Sequence, residues 1–465
     1  MHWLWRAWRW VDDRTGISEV VWPVMTHLAP RDSRWYYVFG TATLTAFMLQ
    51  VVTGIALALS YIPSTAEAYD TLQFITHQAP FGSILRGMHY FGASAMMVMI
   101  GAHMAQTFLM GCYKYPREMN WITGVILFAV TIALAFTGQL LRWDQTAVWS
   151  ILVSAEIVAR IPIVGPWLAR FLLAGDTWGG QTLSRFFSFH VFWIPALIFA
   201  FIGVHVWLVL RHGVSEPPKA GRPVDPRTYR AWYHETMQRE GVPFFPDSAW
   251  RDALFAAGLV LVVAALAVLV GAPELGKPPD PSLLASAPRP DWYLLWTFSL
   301  FALLPPSWEN YFIVIAPALV VIVLFLIPVW NRGERSPARR PWAVASVMAI
   351  CLMVGALWIA GIKSPWSPDF AVQPLPQKVV GATAGPVVVG ARLFYNKGCE
   401  FCHTIAGRGG QRGPDLTTVG DRLTPAEMIW RILNGGTNMP AYAGNLTPEQ
   451  IDALIAFLKS RTAQR

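Results

Sequence analysis

The sequence has few charged residues for its length. Charged side chains make up 14% of the 465 residues and hydrophobic ones 54%, whereas a typical soluble protein carries about 25% charged residues. This shortage excludes a chain that is soluble throughout and predicts an integral membrane protein. The net charge of +8 lies mainly in short loops between apolar segments, so we interpret it as a topology signal and expect no nucleic-acid partner.

Cysteine is also scarce, with four residues in the chain. A framework of disulfides is therefore excluded as the basis of the fold. Cys112 and Cys351 stand alone in or beside apolar segments and are predicted to be packing residues. The first ten residues lack an apolar core with a small-residue cleavage site, so we expect no cleavable signal peptide.

Seven apolar stretches are long enough to cross the ~30 Å hydrocarbon layer of a membrane as helices. They are residues 35–60, 83–111, 120–141, 187–211, 249–271, 310–330 and 341–362. We therefore predict an all-α fold, with a seven-span transmembrane helical bundle and a small soluble α-helical domain. The predicted parts are an interfacial segment 1–34, a four-span core 35–214, a three-span domain 215–362, a linker 363–385 and a soluble domain 386–465.

Lysine and arginine are distributed unevenly between the loops. Five arginines precede the first span, the loop 61–82 has neither residue, and the loop 331–340 holds four arginines. Because positively charged loops stay in the cytoplasm, the N-terminus is predicted to be cytoplasmic and the soluble domain periplasmic. The expected location is the cytoplasmic membrane of a bacterium.

Four histidines occupy two of the predicted spans. His89 and His103 are 14 residues apart, and His190 and His205 are 15 apart. Each interval is close to four helical turns, so the two imidazoles of a span lie ~21–23 Å apart on one face. A single histidine in a span is most often hydrogen-bonded to a neighbouring helix, but two matched pairs favour two stacked bis-histidine haem sites.

Glycines in the first and third spans repeat the same spacing. Gly40 and Gly54 are 14 residues apart, as are Gly124 and Gly138. A haem plane needs neighbouring helices without a side chain where it passes, and glycine leaves that gap. Glycine also serves ordinary helix packing, so the matched spacing is what favours a haem pocket.

Two arginines lie close to the outer histidines in the sequence. Arg86 precedes His89 by three residues, and Arg185 precedes His190 by five. We predict that they pair with the propionates of an outer haem, although arginines at a membrane interface also extend towards water without any such partner.

The tail contains Cys399-Glu400-Phe401-Cys402-His403. Cys-x-x-Cys-His attaches a c-type haem through two thioether bonds, with the histidine as axial ligand. A zinc site would need more cysteine or histidine nearby, and the tail has none. Haem attachment of this kind takes place outside the cytoplasm, in agreement with the predicted orientation.

Three further motifs identify a resemblance. They are Gly138 through Trp143-Asp144-Gln145, Arg185-Phe186-Phe187-Ser188-Phe189-His190, and Pro290-Asp291-Trp292-Tyr293. Residues 15–365 resemble the cytochrome b of the quinol-oxidising cytochrome bc and bf complexes. The 15-residue histidine gap is similar to the photosynthetic branch, and residues 230–362 resemble that branch's separate three-span subunit IV.

The resemblance implies two non-covalent b-type haems and a quinone or quinol substrate. Asp291, together with Trp292 and Tyr293, is implied to border an outer site where quinol is oxidised, with the carboxylate accepting a proton. Asp291 stands where relatives commonly have glutamate, which suggests a low-potential quinone such as menaquinol. The alternative for Asp291 is a loop or helix cap.

Two expectations concern the inner side. Some relatives attach a further haem through a cysteine near the start of the first span, but this sequence reads Tyr36-Tyr37-Val38-Phe39-Gly40 there. We therefore expect no thioether-linked haem in the membrane part. Arg211 resembles a basic residue near an inner quinone site, and a solvated loop charge is an equally good interpretation.

Residues 385–465 resemble a class I cytochrome c domain. That resemblance implies a methionine as the second axial ligand, and Met439 in Asn438-Met439-Pro440 is the candidate. Met428 is the rival, but it lies in a periodic helical run and is predicted to be a core residue. Pro414 resembles the residue whose carbonyl orients the ligating imidazole.

Taken together, these features predict a fused cytochrome b/c subunit of a quinol–cytochrome c reductase that builds a proton gradient. One electron would cross the membrane, and the other would pass to a Rieske iron–sulfur protein, which must be a separate chain because no spare set of two cysteines and two histidines exists here. Further cytochrome c subunits or a soluble electron acceptor, and a homodimeric complex, are expected partners.

Two other hypotheses remain. One is a dihaem relay between a dehydrogenase and quinone that does not split the electrons. The Pro-Asp-Trp-Tyr loop argues against it, because a plain relay has no need of that loop. The other is a membrane anchor that only presents a cytochrome c, and the four histidines argue against that.

Overall fold

The computed structural model describes residues 2–279, 289–364, 369, 371–435, 439 and 441–463. Within these residues α-helices dominate, and the strands form two antiparallel pairs of two-residue strands. Leu28–Ala29 pairs with Val242–Pro243, and Thr404–Ile405 pairs with Arg408–Gly409. The predicted all-α class is confirmed.

The α-helices are numbered here in chain order. They are α1 His2–Thr15, α2 Ile17–Thr26, α3 Phe39–Ala58, α4 Ala68–His77, α5 Gly82–Leu109, α6 Glu118–Leu140, α7 Gln145–Ala159, α8 Gly165–Leu173, α9 Gly180–Ser188, α10 Ile194–His212, α11 Tyr229–Glu240, α12 Ala249–Leu269, α13 Leu295–Leu303, α14 Pro306–Trp330, α15 Pro341–Lys363, α16 Gln377–Val380, α17 Pro386–Asn396, α18 Val419–Arg422, α19 Pro425–Asn434 and α20 Pro448–Lys459.

The chain divides into two compact units. One comprises Met1–Asp280 with Leu304–Val354, and the other comprises Pro281–Leu303 with Gly355–Arg465. The first unit holds the four predicted haem-ligating histidines. The second holds the Asp291 loop and the Cys-x-x-Cys-His tail.

Six helices in the described residues are long and apolar enough to cross a membrane. They are Phe39–Ala58, Glu118–Leu140, Gly180–His212, Phe244–Leu269, Trp308–Trp330 and Pro341–Lys363. The remaining predicted span is present as α5, which has 28 residues and so is ~42 Å long. It is not among the six because two histidines, Arg86 and several small or polar residues lower its hydropathy. The count from apolar length is therefore six, whereas seven were predicted.

In the first unit α5 packs against α3 and α12, and α6 packs against α10. The centre of this bundle contains Ala46, Phe47, Met96, Leu134 and Ile198. Other apolar side chains on the spans, such as Leu261 and Leu269 on α12, are exposed on the protein surface. This distribution suits helices whose outer faces contact lipid.

Basic residues join three loops at one end of the bundle. Arg117 donates to the carbonyls of His212 and Gly213, at 3.1 and 3.0 Å. Lys114 donates to Asn331 Oδ1 at 2.8 Å, and burial lowers the pKa of its amine to about 8. Lys114 and Arg117 therefore hold these loops together through buried hydrogen bonds.

The tail domain of the second unit is built on the crossing of α17 and α20. Phe394 and Phe457 meet there with ring centroids 5.6 Å apart. The first turn of α20 is capped because Thr447 Oγ1 accepts from Gln450 N at 3.4 Å.

Glycine allows the close crossing of α17 and α20. A Cβ at Gly390 would lie 2.0 Å from the carbonyl oxygen of Ala453. Backbone cannot move aside as a flexible side chain can, so Gly390→Ala is expected to destabilise the tail domain by about 1–3 kcal/mol. Thermal unfolding of the tail in the full-length protein, followed by its own haem absorption, measures the loss. Gly444→Ala is the matched control, because a Cβ there meets nothing within 4 Å.

Candidate functional site: two imidazole pairs and a haem-attachment loop

The four histidines meet in two pairs inside the first unit. The ring centroids of His89 and His190 are 6.1 Å apart, and those of His103 and His205 are 6.4 Å apart. A metal–imidazole bond of about 2 Å on each side of one iron requires a centroid separation of roughly 6 Å. Each gap therefore has the width that a single bis-histidine iron needs.

The unequal histidine spacings are reconciled by a π-helical turn. Residues Phe189–Trp193, which include His190, form this turn between α9 and α10. Its hydrogen bond runs from Ile194 N to Phe189 O, so one turn holds an extra residue. The 15-residue interval from His190 to His205 consequently covers the same rotation as the 14-residue interval in α5.

Glycines from α3 and α6 lie directly against the imidazoles. A Cβ at Gly40 would be 3.3 Å from His103, and one at Gly54 would be 3.2 Å from His89. A Cβ at Gly138 would lie 2.5 Å from His190 Cε1, whereas one at Gly124 would lie 3.5 Å from His205. All four glycines predicted from spacing thus face a histidine ring, and Gly138 has the least free space.

Threonines contact the Nδ1 atoms of three imidazoles. Thr53 Oγ1 lies 2.9 Å from His89 Nδ1, and Thr123 Oγ1 lies 2.9 Å from His205 Nδ1. His190 Nδ1 lies 3.3 Å from Thr137 Oγ1 and 3.0 Å from the carbonyl oxygen of Leu134. A partner on Nδ1 fixes the ring and leaves Nε2 free to bind a metal.

His103 differs from the other three histidines. Its Nδ1 is buried and has no hydrogen-bond partner in the described part of the chain. The ring is instead positioned by packing against Gly40. The threonines were not predicted from the sequence, although each lies one residue before the glycine in Thr53-Gly54, Thr123-Gly124 and Thr137-Gly138.

The two arginines predicted to hold an outer haem have other partners. Arg86 is buried and donates to Thr76 Oγ1 at 3.1 Å and to the carbonyl of Pro273 at 2.6 Å. Arg185 is directed towards Phe171, donating to its carbonyl and stacking over its ring at 4.8 Å. Both lie near the His89 and His190 end of the bundle, and their pairing with haem propionates stays a prediction.

Residues 273–277, which precede the Asp291 loop in the sequence, are held by hydrogen bonds at the His89 and His190 end of the first unit. Gly276 N donates to Asp144 Oδ2 at 3.0 Å, and Tyr69 Oη donates to the carbonyl of Gly276 at 2.9 Å. Asp144 is fully buried, caps α7 through Ala147 N and pairs with Arg142. The start of α7 and the 273–277 segment are therefore held in a fixed relation.

In the second unit Asp291 and Tyr293 lie in the turn that leads into α13. Tyr293 Oη is 3.4 Å from Asp291 Oδ2, and the carbonyl of Asp291 accepts from Leu294 N at 2.9 Å. Trp292 is exposed and meets the Tyr293 ring edge-on at 5.9 Å. The half-buried carboxylate of Asp291 thus has a phenol close enough to exchange a proton.

At the opposite end of the bundle Arg211 lies on the surface, with its guanidinium 5.8 Å from the Trp207 ring. The carboxylate of Asp252, at that end of the bundle, was not predicted from the sequence. Asp252 on α12 accepts from Thr41 Oγ1 at 3.1 Å, and Thr41 is the neighbour of Gly40, which faces His103. An acidic residue within an apolar span was the available signal.

The tail places its histidine under a proline carbonyl. His403 Nδ1 lies 2.9 Å from the carbonyl oxygen of Pro414. Cys399 begins a 3-10 turn, Cys399–Phe401, and Cys402 follows it; both are free thiols. Within the described residues no group of three or more His, Cys, Asp or Glu is placed so that it could hold a metal ion.

The two candidate methionines occupy different places. Met428 is 2% exposed and belongs to the core of the tail domain. Met439 is partly buried at the edge of that core. Asn438 and Pro440 lie outside the described residues.

Comparisons with known proteins agree with this arrangement. The sequence model described as "Cytochrome b(N-terminal)/b6/petB" matches residues 94–278. The cytochrome b subunit of menaquinol:cytochrome c reductase from Geobacillus thermodenitrificans is 38% identical over 217 residues, which are 45% of this chain and 96% of that protein. The chain belongs to the cytochrome b family.

Further comparisons match other parts of this cytochrome b, including its C-terminal tail. Cytochrome b6 of Synechococcus elongatus (strain ATCC 33912 / PCC 7942 / FACHB-805) is 35% identical over 212 residues, or 46% of this chain and 99% of that protein. A solved chain of "Hyperthermophilic respiratory Complex III" is 25% identical, covering 84% of this chain and 97% of its own, with a TM-score of 0.65. Residues 388–458 match "Cytochrome C oxidase, cbb3-type, subunit III".

Membership of this family implies b-type haem in the membrane part, and the tail's match implies c-type haem. The membrane residues fit such a group, because each imidazole pair has the required gap and a glycine Cβ would fill the adjoining space. The tail fits as well, since both thiols are free and the His403 ring is already oriented.

The glycine distances predict graded effects on haem binding. Gly138→Ala places a methyl group 2.5 Å from the His190 ring, whereas Gly124→Ala places one 3.5 Å from His205. The first change is expected to remove one b haem, and the second to leave both in place. Reduced-minus-oxidised absorption spectra give the b-to-c haem ratio. Gly101→Ala is the control, with nothing within 4 Å of its Cβ, and a normal ratio in Gly138→Ala would contradict the assignment.

The reduction potential of the c haem distinguishes the two candidate ligands, Met439 and Met428. Met439→Ala is expected to lower the reduction potential of the c haem by a fraction of the ~0.8 V range that axial ligands control, because a His/Met pair raises it. Met428→Leu conserves core volume and is expected to leave the potential unchanged. Potentiometric titration of the purified protein measures both. The reverse pattern would identify Met428 as the ligand.

Proposed function

We propose that the chain is the fused cytochrome b/c subunit of a quinol:cytochrome c oxidoreductase in a bacterial cytoplasmic membrane. The observation that carries this proposal is the presence of two facing imidazole pairs, at two levels of the helical bundle, in a chain that also contains a Cys-x-x-Cys-His domain. It is supported by relatives named menaquinol:cytochrome c reductase and respiratory Complex III. Residues 35–214 form the dihaem core, 215–362 the subunit IV-like part, and 386–465 the cytochrome c domain.

The four membrane histidines would hold two b haems, and His403 with Met439 would hold one c haem. Thr53, Thr123 and the Leu134 carbonyl contact Nδ1 of three membrane rings, so their Nε2 atoms would be free to bind the haem. Cys399 and Cys402 provide the thioether bonds. When bound, the two b haems provide one-electron transfer across the membrane between the His89/His190 and His103/His205 levels.

Quinol is oxidised at the outer face by the Asp291 loop. Asp291 takes a proton from a quinol hydroxyl, and Tyr293, 3.4 Å away, orients the carboxylate and offers an onward path to solvent. Trp292 forms part of the apolar surface of this site. The buried Asp144 positions the preceding 273–277 segment through Gly276.

Quinone is reduced at the inner face, near the His103/His205 pair. Asp252 lies next to Gly40 through its hydrogen bond to Thr41 and supplies protons there, while Arg211 attracts the negative charge that develops on the quinone oxygens. Protons leave at the outer face and enter at the inner face, so the cycle builds a proton gradient. The substrate class is menaquinol.

The two electrons of each quinol take separate paths from the outer site. One passes inward and the other passes to a Rieske iron–sulfur protein on a separate chain, and from there towards the c domain and further cytochrome c subunits or a soluble acceptor. The complex is a homodimer, with the N-terminus of this chain in the cytoplasm and the c domain on the periplasmic side.

Asp291→Ala tests the outer site. Removing the proton acceptor is expected to slow quinol-dependent reduction of the b haems by about 10²-fold or more, measured by stopped-flow spectroscopy in membranes. Asp176→Asn is the matched control, because Asp176 is an exposed carboxylate whose partner is Arg170.

Normal b-haem reduction in Asp291→Ala would exclude the assigned role of this carboxylate. Fewer than two b haems per c haem would contradict the whole scheme. Reduction of b and c haems by quinol that does not require the Rieske partner would favour an unbranched dihaem relay instead.

A further inference from the structure

The chain joins the tail domain soon after it leaves the last membrane span. That span, α15, ends at Lys363, and the sequence predicts a linker over residues 363–385. Asp369 N already donates to the carbonyl of Phe401 at 2.8 Å. Because Phe401 lies inside the Cys-x-x-Cys-His motif, the first contact of the chain with the tail domain is at the haem-attachment loop.

The residues that follow are held by the core of the tail domain and by one buried arginine. Val380 belongs to that core, and Val379 packs against it. Arg461 is 6% exposed and donates to the carbonyls of both residues, to that of Val380 at 2.7 Å. Its guanidinium lies 4.9 Å from the ring centroid of Phe457 on α20. A planar guanidinium that binds two successive carbonyls is a specific contact, and its charge strengthens both hydrogen bonds.

These contacts limit how far the tail domain can lie from the membrane span. Only residues 364–368 separate Lys363 from the hydrogen-bonded Asp369. A residue extends the chain by at most ~3.6 Å, so Asp369 lies within roughly 20 Å of Lys363. A tether that comprised all of residues 363–385 would reach ~80 Å by the same rule. Since Asp369 is bound at the haem-attachment loop, the shorter limit applies to that loop.

The end of the same span also holds the segment around Asp291. Arg289 Nη1 donates to the carbonyl of Ile362 at 3.1 Å. Ser299 Oγ, on α13, donates to the carbonyl of Leu357 at 2.6 Å. The proposed quinol-oxidation loop and the start of the tether are therefore attached to one helix end.

We propose that the tail domain is a short-tethered electron acceptor, in which residues 369–380 belong to the domain and Arg461 is the positioning residue that holds them there. The c haem then stays near the end of the last span, and the protein that reduces it has to dock within this reach. The acceptor role rests on the proposed function, whereas the length of the tether does not.

The tether is tested by inserting the same flexible Gly/Ser segment, of about ten residues, at two places in the full-length protein in lipid nanodiscs. The test insertion lies between Ser367 and Pro368, outside the contacts that hold the chain to the domain. The control insertion lies between Thr383 and Ala384, which are exposed and follow those contacts. It therefore enlarges a loop within the domain and leaves the tether as it is.

Pulsed electron paramagnetic resonance measures the distance between the last span and the tail. One nitroxide label is placed on Cys351, which is exposed on α15, and the other on the thiol of Arg431→Cys, at an exposed position of the tail. Cys112→Ser removes the other thiol outside the haem motif. The test insertion is expected to lengthen the mean distance by roughly 5–10 Å and to broaden its distribution, because the mean span of a flexible chain grows with the square root of its length.

The control insertion is expected to leave the distance distribution unchanged. Equal lengthening by both insertions would show that residues 363–385 act as one long tether and would overturn the proposal. An unchanged distribution with either insertion would also overturn it, because the tail would then be held by something other than the tether. A wild-type complex whose c haem quinol does not reduce would instead contradict the proposed function.

Arg461→Gln tests the residue that holds the segment, with trypsin as the probe. Cleavage after the exposed Lys378 of α16 releases a haem-bearing fragment that begins at Val379, which mass spectrometry identifies. This cleavage is expected to become roughly tenfold faster, because two charge-assisted hydrogen bonds are lost, and Arg461→Lys is expected to restore part of the protection. Arg431→Gln is the control, since that guanidinium stacks on Trp430.

The absorption spectrum and reduction potential of the c haem, measured on the same samples, report that the tail is folded. A wild-type cleavage rate in a folded Arg461→Gln protein would exclude the role of this arginine. If Arg461→Gln loses its c-haem spectrum, the two insertions decide the proposal, because both leave Arg461 in place.

Discussion

The membrane part of this protein depends on imidazoles held in facing pairs within hydrocarbon. An ionisable ring is costly at that depth unless a partner takes its lone pair and its N–H. Here a threonine or a backbone carbonyl meets Nδ1 on three of the four rings, and the two rings of each pair leave a gap that suits one metal ion. Neighbouring helices contribute glycine where the rings would otherwise collide with side chains.

This constraint explains features that look unrelated along the chain. The π-helical turn at Phe189–Trp193 keeps His190 and His205 on one face despite their 15-residue interval. Threonine precedes glycine at three positions, so that one residue anchors a ring while the next makes room for it. A ligand held by two helices requires side chains placed to within about 0.5 Å, and both features constrain where the imidazoles lie.

The end of the bundle near His89 shows how the surface connections are made rigid. Asp144 caps α7, pairs with Arg142 and accepts from Gly276, and Arg86 binds the carbonyl of Pro273. Such buried charge-assisted hydrogen bonds are expensive to break. They hold the 273–277 segment in a fixed relation to the start of α7.

The helical class, the pairing of the histidines, the four glycines that face them and the haem-attachment loop could all be predicted from the sequence. These features are readable because helical periodicity turns a spacing of 14 or 15 residues directly into a shared face. Only the tertiary structure revealed the Asp144–Gly276 contact, the Asp252–Thr41 contact and the carbonyl and threonine partners of Arg86. The first two join residues 132 and 211 positions apart, and no local periodicity encodes a contact between side chains on different helices.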